Sequence, residues 1–370
     1  ALAGLAGFAA HHDLRRAFRD RRAWEAMVAR FAANPLYRHT SARQAVELAR
    51  CLYRYLVPLA VPVPEVDVCH SSAAALCVLP ALVAKLERGT PLVVSEHGVY
   101  LRERILELVR RQVHPLGKVM FANLYRGLAT ASYRFADAVV PVCEFNARWE
   151  AQLGVDPDRV EVVHNGADPQ AFAPRPWPEG PPTVAWVGRL DPLKDVLGLL
   201  RAARLVHAAR PEVRFRLWGP DSDPAYARRC RLAARAMGLD QVVSFEGPTD
   251  DVPAAYGACQ LAVLSSVSEG FPYAVIEAMA CARPVVATAV GGVPEALDRP
   301  ELLVEPGNAA ALARAVLDQL ARPLPQRQAL GQALRARAVE RFSAGRCLDA
   351  YDALYRRLAP AGAPGQEAAG

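Results

Sequence analysis

Residues 265–294, SSVSEGFPYAVIEAMACARPVVATAVGGVP, decide how the chain is read. A polar loop leads into a run with helical apolar spacing, and a β-branched strand and a glycine pair close the segment. Two carboxylates, Glu269 and Glu277, stand eight positions apart around the predicted helix start. Glu277 lies among Ala274, Val275, Ile276, Ala278 and Met279, where an unpaired buried carboxylate costs on the order of several kcal/mol. A ligand hydroxyl is a natural partner for it. Glu269 precedes Gly270, Phe271 and Pro272, and a proline at the first helical position leaves neighbouring N–H groups facing whatever lies beyond the helix end, an arrangement that attracts phosphate. These features describe a pocket for a sugar joined to a nucleotide diphosphate, with one carboxylate for the hexose and another for the ribose.

Outward from this stretch, the second half alternates short β-branched runs with helical patterns, the signature of a doubly wound parallel sheet. Strands are predicted at 183–187, 213–218, 242–245, 261–264, 285–288 and 302–304. Helices are predicted near 192–209, 224–237, 252–258, 272–282, 293–298 and 308–321. Six strands with five crossovers complete one Rossmann-like domain. The first half is less regular. It has a helical start, an amphipathic helix at 41–56 carried by Val46, Ala49, Leu52 and Leu56, and strands near 66–69, 92–95, 138–142 and 160–163, with one long helix at 101–135. The Asn165-Gly166 turn and the proline-rich APRPWPEGPP at 173–182 predict a linker. The expected domains are therefore 1–172 and 173–345, two α/β halves facing a cleft into which the carboxyl ends of the strands point. A last helix at 333–358 is expected to pack back across the hinge, and the tail 359–370 reads as disordered.

The chain's 370 residues exceed one usual core and fit two domains. Its formal charge of +6 comes mostly from Arg scattered along helices rather than in blocks, which argues against nucleic acid and for an anionic donor or a membrane surface as partner. The eight cysteines show no CxxC or paired Cys/His spacing of a zinc site. Most lie in apolar stretches, as reduced cysteines of a cytoplasmic protein would. The opening ALAGLAGFAA lacks a basic n-region, and no apolar run reaches the roughly 20 residues of a membrane span.

In 183–200, TVAWVGRLDPLKDVLGLL, a strand ends at Gly188, and a helix is expected to start at an Asp191 cap with Pro192 first. Lys194 then falls in the first turn, where the helix dipole disfavours a cation. That placement makes sense if an anion sits nearby, and Arg189 could reach the same anion. Asp221-Ser222-Asp223 has the form of a DxD metal motif, but Asp223 before Pro224 is a helix N-cap signal. No divalent metal is expected.

These elements resemble the retaining nucleotide-sugar glycosyltransferases of the GT-B fold, glycosyltransferase family 4. The matching residues are Gly188, Arg189 and Lys194, the EGF-then-E pattern of Glu269, Gly270, Phe271 and Glu277, VATAVGGVPE at 286–295 and VVHNGADPQAF at 162–172. Within that family the chain is similar to the PelF-type transferases of Pel exopolysaccharide synthesis, on SEHGVYLRER (95–104), VGRLDPLKDV (187–196) and GPDSDPAYARRC (219–230). The resemblance implies that Arg189 and Lys194 neutralise the donor diphosphate, Glu269 holds the transferred sugar and Glu277 the ribose. It also implies that the N–H groups of Gly270 and Phe271 meet phosphate or sugar, and that His97 lies beneath the sugar. A UDP-sugar donor, UDP-glucose by subfamily likeness, a glycan acceptor and membrane-bound polysaccharide synthase subunits are the implied partners, at the cytoplasmic face of the inner membrane. Relatives begin with a strand and a glycine-rich loop that are not found before residue 65, so the first domain is expected to be truncated or reduced. A donor-binding scaffold subunit is the second reading. A nicotinamide oxidoreductase is a third, disfavoured because no GxGxxG follows a strand.

Overall fold

The structure, a computed structural model, describes residues 2–110 and 112–359. The described residues divide into two compact units, one formed by residues up to Pro141 with Asn146–Val162 and residues 353–359, the other by Val142–Phe145 and Val163–Asp352.

The first unit holds a parallel sheet of three strands, β1 (Cys69–Ser71), β2 (Leu92–Glu96) and β3 (Ala138–Pro141), in the order β1-β2-β3. Val78, Leu82, Leu92, Val94, Tyr133 and Val139 build its core. The helix Ala42–Leu56 starts at a Ser41 capping box, and its buried positions are Ala45, Leu48 and Ala49, while Val46, expected on the apolar face, points outward. The long helix expected at 101–135 is two helices, Tyr100–Arg110 and Pro115–Phe135. Pro115 has no N–H for a continuing helix and instead opens the second one, with His114 as its N-cap. The strand expected at 160–163 is reduced to a single bridge between Val139 and Val160, because the chain leaves this unit at Val163.

The second unit contains β4 (Thr183–Val187), β5 (Arg214–Trp218), β6 (Val243–Gly247), β7 (Leu261–Leu264), β8 (Val285–Thr288) and β9 (Leu303–Val304), all parallel, in the order β6-β5-β4-β7-β8-β9. Residues alternate between the two faces, as the period of two requires. Val184, Trp186, Val263 and Val286 join one core, and Ala185, Ala262, Leu264 and Ala287 the other. The winding direction reverses between β4 and β7, the switch point outside which α/β sheets place ligands.

Two expectations are corrected here. Residues 173–182 are not a free linker, since they belong to the second unit and are pinned to it. The Arg283 guanidinium, 1% exposed, donates to the carbonyls of Arg175 at 2.9 Å and Pro176 at 3.0 Å and lies over the Trp177 ring. The helix expected at 333–358 is also two, Leu324–Arg341 and Ala344–Leu358. The break falls where Ala167 pairs with the chain, its N–H donating to Phe342 O and its carbonyl accepting from Ala344 N–H. Residues 353–359 belong to the first unit, where the Tyr355 hydroxyl meets His70 at 2.6 Å. The tail expected to be disordered lies, from residue 360, outside the described residues. No helix among the described residues is long and apolar enough to cross a membrane.

Candidate active site

Two loops leave the carboxyl ends of the switch-point strands. After β4, Gly188 donates its N–H to Trp218 O at 2.9 Å. A Cβ on Gly219, which has φ +146°, would stand 1.7 Å from Gly188 O, so the two backbones approach as closely as glycine allows. Asp191 accepts from Leu193 N–H at 2.9 Å, and Pro192–Lys194 forms one 3-10 turn. Asp195 follows in the left-handed region, φ 41° and ψ 51°, and caps the helix Val196–Ala209 by accepting from Gly198 N–H at 3.0 Å. The Asp191 cap and the Pro192 start are as the sequence predicts, but they open only a 3-10 turn carrying Lys194, and the helix expected at 192–209 begins at Val196. The left-handed residue separates the two segments, and the turn that carries Lys194 is stitched to the loop after β7. Leu193 O accepts from Val267 N–H at 2.8 Å, and Lys194 O from the Ser265 hydroxyl at 2.7 Å.

That stitching brings Lys194 Nζ to 2.6 Å from Glu269 Oε1, with the side chains 17% and 10% exposed. The Ser266 hydroxyl donates to the same carboxylate oxygen at 2.5 Å, and the Thr288 hydroxyl fixes Ser266 O at 2.6 Å. The loop is held from below by glycine. Gly292 N–H donates to Gly270 O at 2.7 Å, and a Cβ on Gly291, at φ +55°, would lie 2.0 Å from Glu269 O. The helix that follows is Tyr273–Ala280, with Pro272 as its N-cap and no side-chain cap, so its first N–H groups stay available to an anion. The N–H groups of Gly270 and Phe271 also donate to no acceptor among the described residues. Burial alone pushes the Glu277 carboxyl up to about 7, and among the described residues it has neither hydrogen bond nor ion pair.

The four predicted anchors are thus brought together only in part. Lys194 and Glu269 pair, and Glu277 occupies the helix that continues their loop. Arg189 is 65% exposed and faces Asp191 at 3.5 Å. His97 lies in the first unit, in the exposed bend after β2. Its charge, together with burial as the larger cause, holds the neighbouring His70 below the usual histidine range. Asp223 caps the helix Pro224–Ala236, accepting from Ala225 and Tyr226 N–H, and Asp221 takes a two-pronged ion pair from Arg231 at 2.8 and 2.9 Å. Among the described residues no cluster of three His, Cys, Asp or Glu could hold a metal ion.

Sequence reasoning missed one set of contacts. His164 Nε2 lies 2.5 Å from Glu295 Oε1, and Asn165 Nδ2 donates to Phe271 O at 2.9 Å. Both motifs, HNG and GGVPE, stood out in the chain, but nothing in either tells that residues 131 positions apart meet.

Residues 181–322 match the family described as glycosyl transferases group 1, and residues 1–158 match a domain of unknown function, DUF3492. A D-inositol 3-phosphate glycosyltransferase 2 of Catenulispora acidiphila is 37% identical over 242 residues, 56% of this chain and 56% of that protein. A D-inositol 3-phosphate glycosyltransferase of Mycobacterium sp. (strain JLS) is 36% identical over 176 residues, 44% of this chain and 39% of that protein. The chain thus spans about half or less of the length of these relatives. Among solved structures, a sucrose-phosphate synthase from Thermosynechococcus elongatus superposes with TM-score 0.69 at 24% identity, covering 79% of this chain and 73% of that one. HepE of Anabaena in complex with UDP gives TM-score 0.68 at 21% identity, covering 79% of each chain. Residues 181–322 thus resemble the glycosyl transferases group 1 family, on a chain with the GT-B fold.

Proposed function

We propose that the protein is a retaining glycosyltransferase that moves a hexose, glucose from UDP-glucose, onto a glycan in exopolysaccharide synthesis of the Pel type. The observation that carries the reading is the Lys194–Glu269 pair at the switch point, beside an uncapped helix end and the unpaired Glu277. The relatives named glycosyltransferases support sugar transfer, and the UDP held by HepE supports a uridine nucleotide. The Pel assignment rests on the three stretches at 95–104, 187–196 and 219–230.

Breaking the anomeric C–O bond leaves an oxocarbenium-like sugar and a nucleotide diphosphate, so cations already in place at the phosphates stabilise charge that grows in the transition state. Lys194 supplies one such cation, and the exposed Arg189, once it turns from Asp191, the second. Glu269, once Lys194 turns to phosphate, holds sugar hydroxyls, and Glu277 the ribose. Gly270 and Phe271 offer their free N–H groups to phosphate or sugar, and His97 serves the sugar from the first unit. Attack proceeds on the face the nucleotide leaves, and the departing phosphate takes the acceptor's proton. No protein nucleophile is needed and no metal is required. Membrane-bound synthase subunits at the cytoplasmic face are the partners that this assignment implies.

A hydrolysis and transfer screen over UDP-, GDP- and ADP-sugars tests the reading. Turnover with UDP-glucose should persist in excess EDTA and fall about 100 to 1000-fold in Lys194→Ala and Glu269→Ala. Turnover unchanged in both variants would remove the site. UDP binding without turnover would favour the scaffold subunit, and NAD binding in its place the oxidoreductase.

A further inference from the structure

The loop at 269–271 is gripped from two directions by segments far apart in sequence. From one side come residues 164 and 165. The His164 ring packs on Phe271 with centroids 4.9 Å apart and on Phe342 at 5.2 Å, and Phe271 and Phe342 meet at 5.0 Å. Asn165 then takes the carbonyl of the same Phe271. From the other side come residues 291–295, where Gly292 N–H donates to Gly270 O, and a Cβ on Gly292 would stand 2.7 Å from Phe271 Cδ2. His164 and Glu295 form the hydrogen bond that ties these two segments to each other. Glu295 is itself held, since its second oxygen accepts from Glu144 N–H at 2.9 Å and its carbonyl from Arg337 at 2.9 Å.

We propose that His164 and Glu295 are positioning residues for the donor loop, a His–Glu tie that fixes the Phe271 ring and through it the place of Glu269 and of the N–H groups of Gly270 and Phe271. The proposal rests on the reading of that loop as donor-binding. A polar pair only 20% and 25% exposed is a weak source of stability compared with a packed apolar pair of the same size. Its geometric value is larger, because a short directional bond holds an aromatic ring in one orientation where apolar contacts alone let it slide. Neither residue is among the predicted donor contacts, so the effect on the donor is assigned to Phe271, on which the His164 ring packs.

The test uses His164→Ala, His164→Gln, whose amide can still donate to the carboxylate, and Glu295→Ala, on the whole chain. Amide exchange of a peptide covering 268–273 and UDP affinity by calorimetry are the two measurements. Expected are a roughly tenfold faster exchange confined to 268–273 and a roughly tenfold weaker UDP affinity in both alanine variants, about 1.4 kcal/mol by the usual conversion, with most of each restored in His164→Gln. Unchanged exchange at 268–273 would overturn the proposal. So would faster exchange spread evenly over the second unit with no recovery in His164→Gln, which marks a general fold contact. If the wild-type chain binds no UDP, the donor reading fails, and the exchange measurement still decides whether the tie orders the loop.

Discussion

Each unit of the molecule places two glutamates out of ordinary solvent, and it treats them differently. In the first unit Glu96 and Glu150 are 1% and 0% exposed. Glu96 accepts from Ala74 N–H and Tyr100 N–H at 3.1 Å and from the Tyr133 hydroxyl at 3.0 Å, whereas neither oxygen of Glu150 has a hydrogen-bond partner among the described residues. Burial pushes Glu96 up to about 7 and Glu150 up to about 9, the latter raised further by Glu96. In the second unit Glu269 is paired with Lys194, and Glu277, partly exposed, is pushed to about 7 by burial alone. A raised carboxyl therefore occurs in both units. What distinguishes the second pair is its surroundings, an uncapped helix end, free main-chain N–H groups and an ion-paired lysine at a strand-order reversal, all of which a ligand can use.

The largest test of this contrast is a glycine substitution in each unit. Gly291→Ala would force Cβ against Glu269 O at a positive φ, so a stability loss of about 3 kcal/mol and loss of measurable UDP binding are expected. Gly89→Ala, also at positive φ but with nothing within 4 Å, should cost about 1 kcal/mol and leave UDP affinity intact. Denaturant melts and calorimetry on both variants read the difference, and equal effects would break the comparison. Next is Glu277→Gln. With its carboxyl at about 7, wild-type UDP affinity should strengthen as pH rises through 7 and the group ionises. The variant should bind tenfold to a hundredfold more weakly at pH 8 and lose that pH slope. Wild-type affinity and slope in the variant would remove Glu277 from the site.

On UDP binding the smallest effect belongs to Glu150→Gln. A folded value of about 9 against an unfolded one of about 4.3 means that the folded state keeps a proton the unfolded state releases. Stability from this group is therefore full below pH 4 and is lost as pH rises toward 9. The variant should melt several degrees above wild type at pH 8 and level with it near pH 4. Part of the slope should remain because Glu96 is still present, and UDP binding should not change. An unaltered pH dependence of melting would show that Glu150 does not carry the proton.

The second unit was the more legible of the two. Its strands at 183–187, 261–264 and 285–288 were read at their true bounds, because each is a short apolar run between turn residues and the crossover helices keep a steady period. The strand order was not legible, since pairing is a long-range choice that local patterns do not encode. Around the site, Glu277 stands out as an acid in apolar company and Glu269 as the acid before a proline-marked helix start. The start of the helix at Val196 does not, because Asp191-Pro192 has every mark of a helix opening, and a left-handed Asp195 leaves no trace in the pattern. In the first unit Pro115 could have divided the 101–135 helix, but the continuous apolar spacing across it masked the break. His164 and Glu295 meet only through tertiary packing, and no spacing rule reaches that far.

The pinning of residues 173–182 has a practical corollary for anyone who dissects the chain. A recombinant fragment begun at the apparent proline-rich boundary would cut away Asn165, Ala167 and the Phe172 and Pro169 carbonyls that Arg335 holds. Begun a few residues later, it would also strip Arg283 of two carbonyls that accept from its buried guanidinium. A self-sufficient carboxy-terminal fragment should start no later than Val163, and a protease that nicks the proline stretch should leave the two pieces associated.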